Sequence, residues 1–164
     1  VAGEWHQLCA SALSPTKVSD EPLIPQSQVQ AVVNGVQRMI DPPDKRGDVA
    51  AHGSWQRGMT TIFDIRITDT DARSFCTKDP SKVLGKQAKD KKDKYLEACT
   101  QSRRHFTPLV FSVDGLREKE TVAASKRLAR LLAEKWKRPY SQVAGMVRSR
   151  LSIALARASS RCLR

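Results

Sequence analysis

Residues 46–68, RGDVAAHGSWQRGMTTIFDIRIT, hold two stretches with strand character, DVAAH (48–52) and TTIFDIRIT (60–68), separated by the glycine-flanked GSWQRG. The second alternates with a period of two. Thr61, Phe63, Ile65 and Ile67 point one way; Ile62, Asp64, Arg66 and Thr68 point the other. An aspartate between Phe63 and Ile65, inside a run patterned for burial, is costly unless something compensates its charge. Asp48 opens the neighbouring strand. If the two strands pair, both carboxylates lie within a few ångströms of each other at one sheet edge. A divalent cation with oxygen ligands is the usual way to hold two such groups together. The alternative is that Asp48 caps a strand and Asp64 pairs with Arg66 or another base.

Working outward, EWHQLCASAL (4–13) spaces Trp5, Leu8, Cys9 and Ala12 as one helical face, and Ser14-Pro15 ends it. EPLI (21–24) has the character of a short strand, QVQAVVNGVQRMI is expected to carry a few turns, and DPPDKRG (41–47) is a loop by its prolines and glycine. DPSKVLGKQAKDKKDKYLEACTQSRR (79–104) predicts a long helix with Asp79 as N-cap and Pro80 at the first helical position. Leu84, Ala88, Tyr95, Cys99 and Ser102 share its apolar face. TPLVFSVDG (107–115) is a further strand ended by an Asp-Gly turn. EKETVAASKRLARLLAEKW (118–136) is an amphipathic helix with Ala124, Leu128, Leu131 and Lys135 along one stripe. Pro139 stops it, and a last helix covers 141–164. This order predicts one α/β domain over 1–164: a small mixed β-sheet flanked by helices, with a core over about 1–116 and basic C-terminal helices over about 118–164.

The chain carries 29 Lys and Arg against 17 Asp and Glu, a net charge of +12. A globular domain of this charge faces a polyanion, nucleic acid before any other, because its cations displace counterions from phosphates. No apolar run is long enough to span a membrane, and no basic amphipathic helix has a bulky aromatic face, so a membrane is not an expected partner. Cys9, Cys76, Cys99 and Cys162 form no C-x-x-C pair, which points to reduced thiols in an intracellular protein rather than to zinc or a disulfide framework. Ser112 and Ser141 have no His-Asp set near them, and there is no glycine-rich phosphate loop, so neither nucleophilic hydrolysis nor a small-molecule substrate is expected.

Within KDKKDKY, Lys92 and Tyr95 are three residues apart and share a helix face. Either Lys92 is one more solvated lysine, or it stands beside the carboxylates, where an ammonium stabilises charge developing on phosphorus. The order Asp48, strand Asp64, then Lys92-x-x-Tyr95 on the following helix resembles the restriction-like endonuclease domain of non-LTR retrotransposons. That domain belongs to the PD-(D/E)-x-K nuclease superfamily. EPL (21–23) and FTPLVFSVDG (106–115) also resemble segments flanking that signature in reverse-transcriptase reading frames. Two departures stand out: Gly47 replaces the proline before the first Asp, and Arg66 occupies the usual motif-lysine position, a lysine this family commonly supplies from the helix. The resemblance implies a restriction-endonuclease-like core and a nuclear, Mg²⁺- or Mn²⁺-dependent endonuclease that nicks target DNA to prime reverse transcription, with a reverse-transcriptase domain in the same polyprotein. It implies Asp48 and Asp64 as metal ligands, with Lys92 and Tyr95 completing the catalytic set. Glu4 and Glu21 are weaker candidates for a second metal position. A nuclease-derived fold that binds nucleic acid without cutting it predicts the same composition.

The last helix adds an independent signal. Arg150, Arg157, Arg161 and Arg164 are spaced by seven, four and three and stay on one stripe, beside an apolar face of Val147, Leu151, Leu155, Ala158 and Cys162. Five arginines and no acid follow residue 139. Such a stripe suits phosphate oxygens, and Arg66, Arg103, Arg104, Arg127 and Arg130 are candidates to extend it, with Lys126. With few aromatics, 5% of residues, double-stranded DNA held by its backbone fits better than a single-strand stacking platform.

Overall fold

The computed structural model describes residues 1–24, 26, 29–33, 36–40 and 45–162, and of 29–33, 36–40, 161 and 162 the backbone alone. In chain order the elements are α1 (Ala2–Leu13), β1 (Val18–Asp20), β2 (Leu23–Ile24), β3 (Val29–Val33), β4 (Val36–Ile40), β5 (Lys45–Arg46), β6 (Val49–His52), β7 (Thr60–Thr68), α2 (Pro80–Gln101), β8 (His105–Ser112), α3 (Lys119–Trp136) and α4 (Tyr140–Cys162), with a 3₁₀ turn at Pro15–Lys17. The α/β class and the small mixed sheet flanked by helices are as expected. QVQAVVNGVQRMI differs: its described part is the antiparallel pair β3–β4 rather than helical turns. The loop expected over 41–47 lies outside the described residues as far as 44, and Lys45–Arg46 pairs with Leu23–Ile24.

The main sheet has the order β1-β6-β7-β8. The first two pairings are antiparallel, and β7–β8 is parallel, so α2 serves as the crossover that a parallel pair requires. Asp79 starts that crossover as expected, its Oδ1 accepting from the amides of Ser81 at 2.7 Å and Lys82 at 3.1 Å.

Period-two alternation sorts β7 and β8 between two layers. Phe63, Leu109 and Phe111 face α1, α3 and α4 in one large core that includes Trp5, Leu8, Leu128, Leu132, Val147 and Leu151. Ile62, Phe106 and Val110 face α2 and form two smaller groups, one with Tyr95, Ala98 and Cys99, the other with Leu84 and Ala88. On α3 the buried stripe runs through Ser125 and Leu132, leaving Leu131 half-buried and Lys135 exposed.

β8 ends the sheet, yet its edge is closed by the chain that follows. Val110 N donates to Thr121 Oγ1 at 2.8 Å, and Val110 O accepts from that hydroxyl and from Glu118 N. Ser112 N donates to Leu116 O at 2.9 Å. The hydrogen bonds that a free edge would leave open are satisfied locally.

Candidate active site

Asp48 stands one residue before β6, whose ladder with β7 starts at Val49 opposite Phe63. Its charge is felt at Asp64, so the two carboxylates lie near each other at the point where that ladder ends. Asp48 N donates to Phe63 O at 2.9 Å, and its Oδ2 accepts from Ile65 N at 2.5 Å. The side chain thus satisfies β7 at the point where its partner strand ends.

Gly47, where the resemblance expects proline, is dictated locally. A Cβ there would lie 2.4 Å from the Ile62 side chain, and its amide donates to Pro22 O at 3.1 Å, a bond proline cannot make.

Asp64 is 4% exposed. Its Oδ2 forms an ion pair with the Lys91 ammonium, whose side chain is 19% exposed. Burial raises the Asp64 pKa above its ordinary value; Lys91 pulls it back, and the charge on Asp48 pushes it up again. Lys91 thus stands beside Asp64, the place expected for Lys92. Lys92 pairs instead with Glu120 in the first turn of α3, a half-exposed contact on the flank of the helix. Helix geometry explains the exchange. At 100° per residue, with Tyr95 as origin, Lys91 falls about 40° to one side and Lys92 about 60° to the other. The buried Gln87 and Ala98 lie on the Lys91 side, so the centre of the buried stripe passes through Lys91.

Tyr95 is buried and packs on Phe106 with ring centroids 5.4 Å apart. Its contacts are with the core and with the ammonium groups of Lys94 and Lys91, at 4.7 and 5.8 Å from the ring centre, and not with the carboxylates. It fixes the helix that carries Lys91 and gives two cations an aromatic face.

The residues present fit a hard divalent cation of the hydrated kind. Among the described residues, Asp48 Oδ1 and Asp64 Oδ1 take part in no hydrogen bond or ion pair, so each carboxylate keeps one oxygen for an ion. Mg²⁺ commonly binds through one or two carboxylates, keeping water and substrate phosphate for its remaining positions. No group of three or more His, Cys, Asp or Glu suited to a metal occurs among the described residues. Glu4 is paired with Arg150 and Glu21 with Arg46, so neither faces the two aspartates as a further ligand.

The arginines proposed for phosphate contact divide into two sets. Arg66, Arg103, Arg130 and Arg157 are exposed, and Arg66 follows Asp64 on the same face of β7. Arg104 donates to Leu23 O at 2.9 Å, Arg127 to Ser54 O at 3.1 Å, and Arg150 pairs with Glu4 and reaches Gln7 at 3.3 Å. These three fasten one part of the fold to another. The stripe on α4 is therefore interrupted at Arg150. The Arg161 side chain and Arg164 lie outside the described residues.

Among the described residues no helix is long and apolar enough to cross a membrane. Cys9, Cys76 and Cys99 are free, and burial pushes the Cys9 thiol up to about 12 and that of Cys99 to about 11, so both are poor nucleophiles. No protein-family model and no curated protein matches the chain.

Proposed function

We propose that this chain is a divalent-metal-dependent endonuclease domain that nicks double-stranded DNA, with Asp48, Asp64 and Lys91 as its active residues. One observation carries it: a buried aspartate, with the charge of a second aspartate close by at the start of the neighbouring strand, is held by a lysine projecting from the middle of a helix stripe that is otherwise largely apolar. A structural core gains little from this arrangement, because replacing such a pair by apolar side chains is often neutral or stabilising. The pattern suits chemistry on a phosphodiester.

In the reaction, water attacks phosphorus in line, a new P–O bond forms, and the bond to the 3′ oxygen breaks to leave a 3′-hydroxyl and a 5′-phosphate. The bound cation would polarise the phosphoryl oxygen and lower the pKa of the attacking water. Asp48 and Asp64 would hold that cation. Lys91 opposes the effect of burial on the Asp64 carboxyl and is the ammonium paired with it, beside the place where charge on phosphorus grows. Arg66 and the other exposed arginines draw in the DNA backbone. On the resemblance, the free 3′-hydroxyl primes reverse transcription by another domain of the same polyprotein, in the nucleus.

The second proposal is a binding module that no longer cuts, favoured by the lack of a third metal-ligating side chain among the described residues. Nicking of supercoiled plasmid by the purified chain, with and without Mn²⁺, separates the two. Metal-dependent nicking should fall by about 10³-fold in Asp64→Ala. A readout independent of turnover is the thermal midpoint, which saturating Mn²⁺ should raise by roughly 5–10 °C in the wild type and leave unchanged in Asp64→Ala. Tight DNA binding with no nicking and no Mn²⁺ shift sinks the nuclease and leaves the binding module.

A further inference from the structure

Beyond the carboxylates, a second concavity lies on the opposite layer. It is a cavity of about 590 Å³ between α3, the first turns of α4 and the turn that follows β8. Arg117, Lys126 and Arg148 line it, and no acidic residue does. Among the described residues none of these three cations has an ion-pair partner. The nearest acids in sequence are engaged or turned out: Glu118 accepts from Glu120 N at 2.6 Å as the cap of α3, and Asp114 is exposed on the turn.

Three like charges converging on one concavity are costly, and the cost shows. Burial first, and Arg148 second, lower the pKa of the Arg117 guanidinium. The fold adds no counter-charge, so an anion is the partner that relieves the repulsion. The rest of the lining is mostly apolar, with Val122, Ala129, Ala144 and Val147 beside two serines, Ser125 and Ser141, and with Tyr140 and Leu116 42% and 48% exposed.

A duplex backbone needs a row of cations on an open surface and has no use for apolar lining of this kind. A pocket of this size that joins a cationic wall to an exposed aromatic side chain fits a phosphate bearing a flat, weakly polar body. We propose that this pocket is a separate nucleic-acid subsite that takes one unpaired nucleotide, its phosphate between Arg117, Lys126 and Arg148 and its base against Tyr140 and Leu116. The choice of a nucleotide rests on the nuclease proposal; the anion pocket does not. The turn bearing Arg117 follows the end of β8 paired with Thr68, about 13 Å along β7 from Asp64. A strand end released by nicking is unpaired, the state of nucleic acid that this pocket suits.

The test uses the full chain and a short 5′-phosphorylated single-stranded oligonucleotide with 5-iodouracil at each position in turn, beside a duplex of the same sequence. Arg117→Gln/Arg148→Gln should weaken single-strand affinity by about ten-fold or more and duplex affinity much less. Photo-crosslinking should reach Tyr140 in the wild type and be lost in that variant. Arg117→Lys/Arg148→Lys should restore most of the affinity, showing that the loss is not a folding defect. Lys86→Gln/Lys89→Gln, which removes the same charge from the exposed face of α2, should leave single-strand affinity near the wild-type value. Equal losses in both double Gln variants, or an unchanged crosslink in Arg117→Gln/Arg148→Gln, overturns the subsite. A wild type that nicks but does not hold single strands sinks this inference alone; one that holds them in the pocket without nicking sinks the nuclease alone.

Discussion

The two faces of the sheet are built on different terms. On one face three helices close over Phe63, Leu109 and Phe111. Trp5 meets Phe63 edge-on at 5.3 Å, and the apolar set is continuous from α1 to α4. On the other face α2 does most of the covering, with Ile24 of β2 beside it, and the apolar contacts fall into two separate groups, Leu84 with Ala88 and Val110, and Tyr95 with Ile24, Ala50, Ala98, Cys99, Ile62 and Phe106. Asp64 and Lys91 belong to neither group, and Lys91 lies between Ala88 and Tyr95 on the helix. The thick face supplies stability without charge. The thin face supports a charged pair because Tyr95 and Leu84, on either side of it, hold α2 in register with the strand below.

The sharpest way to break that contrast is to remove the lysine. Lys91→Ala should lower metal-dependent nicking by about 10²- to 10³-fold, the scale of a lost transition-state contact, whereas Lys92→Ala should stay within about three-fold of wild type. Plasmid nicking at a temperature where circular dichroism shows both variants folded decides it. Comparable losses in the two would return the role to Lys92, the position that K-x-x-Y singles out.

The same experiment on the thick face should show stability without function. Leu132 is fully buried among apolar neighbours. Leu132→Ala should cost about 3 kcal/mol in urea unfolding, equally at acid and neutral pH, because nothing titratable is exposed or buried by the change. Nicking measured below the lowered midpoint should stay within about two-fold of wild type, since distant sites add independently. A large loss of activity in the folded variant would mean that the two faces are coupled.

What the sequence discloses follows the same division. Local signals are legible: the alternation in β7, the Asp79-Pro80 start of α2, the stripe on α1, and the pairing of β6 with β7. The β3–β4 pair was missed although Asn34-Gly35, the dipeptide most often found in two-residue hairpin loops, stands between two apolar runs. Lys91 falls outside the K-x-x-Y pattern, whose lysine stands three residues before the tyrosine; the buried stripe that includes Val83, Ala98 and the polar Gln87 centres on the Lys91 side, and the burial of Gln87 has no signature in the sequence. The partners of the arginines were beyond any such signal. Arg150 and Glu4 are 146 residues apart, and Arg104 meets a backbone carbonyl 81 residues away, so local spacing marks these arginines as a phosphate-binding stripe while the fold uses them as ties.

The smallest effect separates the faces by pH. Burial holds the Asp64 pKa above 3.8, its ordinary value, so the folded chain favours the protonated acid more than the unfolded chain does. The stability this confers is fully present below the ordinary value and is lost as pH rises through the raised one. Asp64→Asn keeps the shape and cannot ionise. It should match wild type in acid and exceed it at neutral pH, the Lys91 side chain, 19% exposed, keeping access to water in the variant. Urea unfolding of both proteins across that pH range reads the difference. A variant less stable than wild type at neutral pH would mean that the Lys91 pair outweighs the desolvation of Asp64. Saturating Mn²⁺ should then reverse the order at neutral pH, because a cation between Asp48 and Asp64 favours the ionised carboxylate that burial alone opposes.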